Sequence, residues 1–166
     1  MNNKNSNTTK LVDSNIIWMS ILYTAAHGFI IGLGGAVFWD DWAYYGAKPL
    51  DVINEFKQAG AFLNYAAWIH IGLLNGVGAY FYKGATFLCF YFSGLIFYWV
   101  LMRDAKLDKE IAFWVAILYM VVPMNIARVA AIDFIYTLSV FFFMIGWWCM
   151  RQSKIISIVF FSLAFN

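Results

Sequence analysis

Charged residues in this chain are confined to short clusters, and between them run stretches of about 12 to 25 residues without a single Asp, Glu, Lys or Arg. A sequence divided in this way has few folding options. In water every such run would have to be hidden in one core. In a bilayer each run of about 20 apolar residues can form a helix that satisfies its own backbone hydrogen bonds in lipid. Composition decides between the two, because 63% of residues are hydrophobic and 12% charged, against about half and about a quarter in soluble domains. The expected fold class is all-α, a polytopic transmembrane helix bundle in contact with membrane lipids. The formal net charge of +2, with no basic run interleaved with exposed aromatics, gives no footprint for nucleic acid.

Residues 1–14 are polar, with Lys4 and Lys10 as the only cations, and read as a short disordered cytoplasmic tail. The rest, 15–166, reads as one transmembrane domain. Its first run, 15–39, would reach roughly 37 Å as a helix. It is longer than the apolar core of about 7 to 15 residues in a cleaved signal peptide and ends in Phe38-Trp39 rather than small residues, so it is expected to be an uncleaved signal anchor. Three further spans are expected at 84–102, 111–123 (closed by Pro123) and 134–150, with a truncated fifth at 155–166. The run 58–82 is charge-free too, but Asn64, His70, Asn75 and several glycines make it less apolar.

Counting cations arbitrates. If 58–82 crosses the membrane, most Lys and Arg fall on the outside. If it stays at the surface or dips in and returns, Lys4, Lys10, Arg103, Lys106, Lys109, Arg151 and Lys154 are cytoplasmic, and only Lys48, Lys57, Lys83 and Arg128 are external. The positive-inside rule favours the second arrangement. It puts the N-terminus in the cytoplasm and makes 40–83 an external loop, in which Pro49 can open an amphipathic juxtamembrane helix.

Two constellations could carry chemistry. Asp40 and Asp41 follow the first run directly, inside Phe38-Trp39-Asp40-Asp41-Trp42-Ala43-Tyr44-Tyr45. As an aromatic belt with two solvated acids this would only mark the lipid boundary. Adjacent carboxylates at a low-dielectric edge also repel, however, so one should resist ionisation unless a cation or metal offsets it, and such a group suits a general base. The second constellation is Arg128 with Asp133, which an offset of five places about 140° apart on a helix, so they need not pair with each other. Either they are a snorkelling cation and a helix-start acid, or Arg128 neutralises a lipid phosphate while Asp133 orients a hydroxyl or a metal.

The remaining polar and small residues read as structural. His27 is expected to be neutral and bonded to another helix, and Gly28, Gly32 and Ala36 have the small-xxx-small spacing of close helix contacts. Cys89 and Cys149 lack metal-ligand spacing and read as small buried residues. No GxSxG, HExxH or phosphate-loop motif occurs.

One helix, an acidic motif immediately after it (Asp40-Asp41), an external loop with juxtamembrane helices, two more spans and a second external acid after an Arg (Arg128, Asp133): this layout resembles the N-terminal half of the GT-C superfamily of lipid-dependent glycosyltransferases. The resemblance covers nearly the whole chain, and it rests on order and topology more than on any one motif. It implies transfer of a sugar from a polyprenyl-phosphate donor to a glycan, lipid or protein acceptor on the non-cytoplasmic face of a bacterial inner membrane. Asp40 or Asp41 would be the base, their adjacency leaving the choice open. Arg128, Asp133 and Trp42 would contact substrate, and a divalent metal ion would be a candidate cofactor. Competing expectations are a transporter, flippase or glycan-polymerase-like protein, or a small non-enzymatic membrane subunit.

Overall fold

The computed structural model describes residues 13–36, 38, 41–58, 78–122 and 134–165. These are mostly helical and include no strand, in keeping with the all-α expectation. The helices are α1 (Ser14–His27), α2 (Phe29–Gly32), α3 (Asp41–Tyr44), α4 (Pro49–Gln58), α5 (Ala79–Arg103), α6 (Lys109–Val121), α7 (Phe134–Cys149) and α8 (Lys154–Ala164). Helix α5 is the hub, packing on α1, α2, α6 and α7, while α8 packs on α7.

The main core joins α1 (Met19, Tyr23), α5 (Phe90, Leu95, Tyr98) and α6 (Ala112, Ala116, Ile117, Met120). Small residues set the spacing. A Cβ on Gly94 would lie 2.3 Å from Met120 Cγ, and one on Gly146 would lie 3.0 Å from the Phe161 ring, so these two glycines admit α6 against α5 and α8 against α7. In the first helix, among the described residues, a Cβ on Gly32 meets nothing within 4 Å, and the nearest atoms to one on Gly28 belong to Thr24.

Polar contacts fix the helix directions. At one end Asp13 accepts from the Asn15 N–H at 3.0 Å, pairs with Lys109 at 2.8 Å and accepts from the Tyr98 hydroxyl at 3.4 Å. The same end holds Arg103, which donates to the carbonyls of Trp148 (2.8 Å) and Trp147 (3.2 Å) and pairs with Asp104 (2.8 Å). Asp104 also pairs with Arg151 at 2.9 Å. At the opposite end Lys83 donates to the Ala36 carbonyl, and the Tyr82 and Phe134 rings meet. Helices α1 and α6 therefore run one way and α5 and α7 the other. Helix α8 reverses α7, since Ser157 donates to the Gly146 carbonyl and Phe165 lies against Phe143. The chain leaves α2 and enters α5 at the same end; residues 59–77, within the run 58–82, lie outside the described residues.

Two boundaries differ from expectation. The first helix does not continue to residue 39: it is interrupted at Gly28, ends at Gly32, and turns at Gly34, whose φ of +57° suits a residue without a Cβ. In turn α5 begins at Ala79, so 79–83, expected in the loop, are helical. Lys83 does not stop the apolar run because its ammonium is used internally and the residue is 2% exposed. Among the described helices α5, with 25 residues, is by itself long and apolar enough to cross a bilayer. The outer faces nonetheless carry exposed apolar residues throughout, among them Trp18, Leu88, Leu118 and Ile158.

The Arg103 cluster has a pH signature. The hydrogen bond from Arg103, with the charge of Arg151 beyond it, holds the Asp104 carboxyl below its usual value. A carboxylate depressed on folding stabilises the protein above its unfolded pKa, and that contribution is lost as pH falls through the folded one. The midpoint of thermal unfolding in detergent should therefore drop as pH falls below about 4, and Asp104→Asn should remove that part of the drop. An unchanged pH profile in Asp104→Asn would contradict it.

Candidate functional site

Asp41 opens the one-turn helix α3 and is 1% exposed. The local chain is closed on it from both sides. Its N–H donates to the Phe38 carbonyl at 3.1 Å, the Phe38 N–H donates back to Asp41 Oδ2 at 3.3 Å, and the Asp41 carbonyl accepts from the Tyr45 N–H at 2.8 Å. An Asp can close such a turn because its carboxylate reaches a backbone donor a few residues away.

A carboxylate this deep is costly to hold unless it is paired. The opposite charge comes from α5. Lys83 is within electrostatic reach of Asp41, its ammonium lies 4.8 Å from the centre of the Phe38 ring, and it donates to the Ala36 carbonyl. One side chain thus holds the segment after α2 by a hydrogen bond, a cation–π contact and charge. Beside it Tyr82, fully buried and also in the field of Asp41, sets its ring edge-on to Phe134 with centroids 5.1 Å apart. Ala36 and Phe38 meet the start of α5 here, and the start of α5 meets that of α7.

Of the residues singled out in the sequence, Asp41 is in this cluster. Trp42 is 67% exposed and sets its ring against Tyr45, outside it. Asp40, Arg128 and Asp133 lie outside the described residues, as do Asn64, His70 and Asn75, but Phe134, the neighbour of Asp133 in sequence, is part of the cluster. Lys83 entered the sequence reading only as a cation to be counted. Its signal was available, since it is the sole charged residue between 58 and 102. Adjacent acids called for a cation or a metal, and the buried ammonium of Lys83 lies in the field of Asp41. Among the described residues no three His, Cys, Asp or Glu side chains come together as a metal-binding group. His27 is bonded to another helix, its Nε2 donating to the Met120 carbonyl at 2.8 Å, and both cysteines are free thiols.

The contrast between the buried and exposed aromatics is measurable. Tyr82→Ala should cost about 3 kcal/mol of stability or more, as loss of a buried ring does, whereas Trp42→Ala should change it by no more than about 0.5 kcal/mol. Equal effects in detergent unfolding would contradict the arrangement. Compared with protein-family models, curated proteins and solved structures, the chain matches none.

Proposed function

We propose that this chain is a multi-pass membrane glycosyltransferase of the GT-C type, taking a sugar from a polyprenyl-phosphate donor to an acceptor on the non-cytoplasmic face. The observation that carries the reading is that Tyr82 of α5, whose ring packs on Phe134 at the start of α7, also lies in the field of Asp41 of the first acidic motif. Asp41 and the helix whose first residue follows Asp133 in sequence are thereby both linked to one side chain of α5.

The membrane part of the reading is supported by the outer faces. Helix α5 is apolar around its whole circumference, yet Leu88 and Phe92 on it are about half exposed. In water that surface would be covered, while in lipid it is solvated. We read four spans, around α1–α2, α5, α6 and α7, and the alternating helix directions support that reading. The Asp13–Lys109 and Arg103–Asp104–Arg151 pairs then sit on the cytoplasmic side and Lys83 on the external side, of a bacterial inner membrane.

In the transfer step an acceptor hydroxyl gives its proton to a carboxylate of the Asp40-Asp41 pair as its oxygen bonds to the anomeric carbon. The bond from that carbon to the phosphate oxygen breaks, the lipid phosphate leaves with the electron pair, and the configuration inverts. Arg128 would bind that phosphate, and Asp133 the acceptor or a metal ion. A transporter needs ionisable groups available at mid-membrane, whereas His27 is committed to Met120.

Two measurements test the proposal. With native cysteines removed, a cysteine at Asp51 should react with an impermeant thiol reagent added outside and one at Asp108 should not; the reverse pattern would invert the topology. In membranes supplied with a prenyl-linked sugar, Asp40→Asn combined with Asp41→Asn should lower transfer by about 100-fold or more. Full activity in both single variants and the double would rule out the transferase.

A further inference from the structure

At the end of the bundle opposite Lys83, α1 and α6 start side by side. Asp13, the cap of α1, pairs with Lys109, the first residue of α6, at 2.8 Å, so the two helices begin at one level. A cavity of about 400 Å³ opens beside that pair, lined by Asn15, Lys109, Glu110, Phe113 and Trp114. Its size falls within the roughly 300 to 1,000 Å³ of small-molecule sites. The polar groups around it carry both signs. Lys109 has three donors and gives one to Asp13. Glu110 is exposed, and among the described residues no cation lies within ion-pair distance of it. Asn15 is oriented by its neighbours. The Tyr98 hydroxyl donates to Asp13 at 3.4 Å and so accepts from the Asn15 amide nitrogen at 3.3 Å, which leaves the Asn15 amide oxygen to accept from elsewhere. Phe113 and Trp114 set their ring planes 70° apart with centroids separated by 5.1 Å, an aromatic corner that suits a cation.

The surface that leads away from the cavity shows what the ligand is attached to. On α6, Glu110, Trp114 and Leu118 recur every four residues, and on α1, Asn15, Trp18 and Leu22 recur at three and four, so each set forms one stripe of its helix. Both stripes start at the cavity and pass from polar to Trp to Leu within about 12 Å. Trp18, Leu22, Trp114 and Leu118 are all exposed. That order follows the gradient from lipid headgroup to acyl chain.

We propose that this corner holds the headgroup of a zwitterionic aminophospholipid: its phosphate on Lys109, its primary ammonium on Glu110 and the Asn15 amide oxygen against the Trp114 ring, and its acyl chains along the two stripes. The site rests on the membrane placement of the chain and not on the transfer reaction. A ligand with a phosphate and an ammonium a few atoms apart matches a corner that offers an ammonium and a carboxylate from adjacent residues. A quaternary ammonium has no N–H for the two acceptors, and an anionic headgroup meets Glu110 with like charge.

The purified full chain in detergent is titrated with dioleoyl phosphatidylethanolamine, and with phosphatidylcholine and phosphatidylglycerol of the same chains, and retained lipid is counted by native mass spectrometry. Phosphatidylethanolamine should bind about tenfold more tightly than either of the others and at saturation raise the midpoint of thermal unfolding by about 3 °C. Glu110→Gln and Trp114→Leu, both at exposed positions whose exchange leaves folding intact, should each weaken it about tenfold. Asp108→Asn removes a neighbouring charge outside the cavity and should leave binding within about twofold. Equal retention of the three lipids, parental affinity in Glu110→Gln, or an equal loss in Asp108→Asn would overturn the site. Displacement at equal concentration by glycerophosphoethanolamine, the same headgroup without tails, would overturn a membrane lipid as the occupant. Binding in detergent needs neither sidedness nor a sugar donor, so its failure removes this site and leaves the proposed transfer reaction as it stood.

Discussion

A helix that ends among apolar neighbours leaves backbone carbonyls with no water to accept from, and much of this structure follows from how that debt is met. Four times among the described residues the donor is a side chain from another helix. His27 of α1 reaches Met120 in the last turn of α6, Arg103 of α5 reaches Trp147 and Trp148 and Ser157 of α8 reaches Gly146 in the last turn of α7, and Lys83 of α5 reaches Ala36 beyond the end of α2. Each bond fixes both the depth and the direction of one helix against another. The cationic donors also suit the negative ends of the helices they meet.

The two ends of the bundle use charge differently. At the Arg103 end the pairs are partly solvated: Arg103 and Asp104 are 22% and 15% exposed at their side chains, and Arg151 and Lys109 are 56% exposed. Such pairs set register and add little energy. At the Lys83 end the charges are enclosed, Asp41 and Lys83 being almost fully buried beside Tyr82. Enclosed charges cost desolvation, so their burial is poor evidence of a device for stability alone.

Much of the architecture was legible in the sequence because hydrophobic runs and their charged borders are local properties. The helices at 84–102, 111–123 and 134–150 and the helix start at Pro49 all follow from such runs, with ends shifted by a few residues. The misread boundaries have definite causes. Gly28, Gly32 and Gly34 break a run that is uniformly apolar, and Lys83, a charge that on its own marks a boundary, is absorbed into α5 by partners 47 residues away in sequence. Gly94 and Gly146 carry the helix contacts because Met120 and Phe161 lie opposite them, which spacing within one helix does not reveal.

The sequence by itself determined that the chain is helical, that its apolar runs exceed what a soluble core could hide, and that an acidic pair follows the first helix. Those are consequences of composition and of the 1.5 Å rise per residue. Which side chains meet was decided only by the tertiary structure. Lys83 and the Ala36 carbonyl it bonds are 47 positions apart, Tyr82 and Phe134 are 52, and His27 and Met120 are 93. Contacts of that range depend on how helices are turned about their axes, a rotation that an all-round apolar helix does not encode in its own pattern.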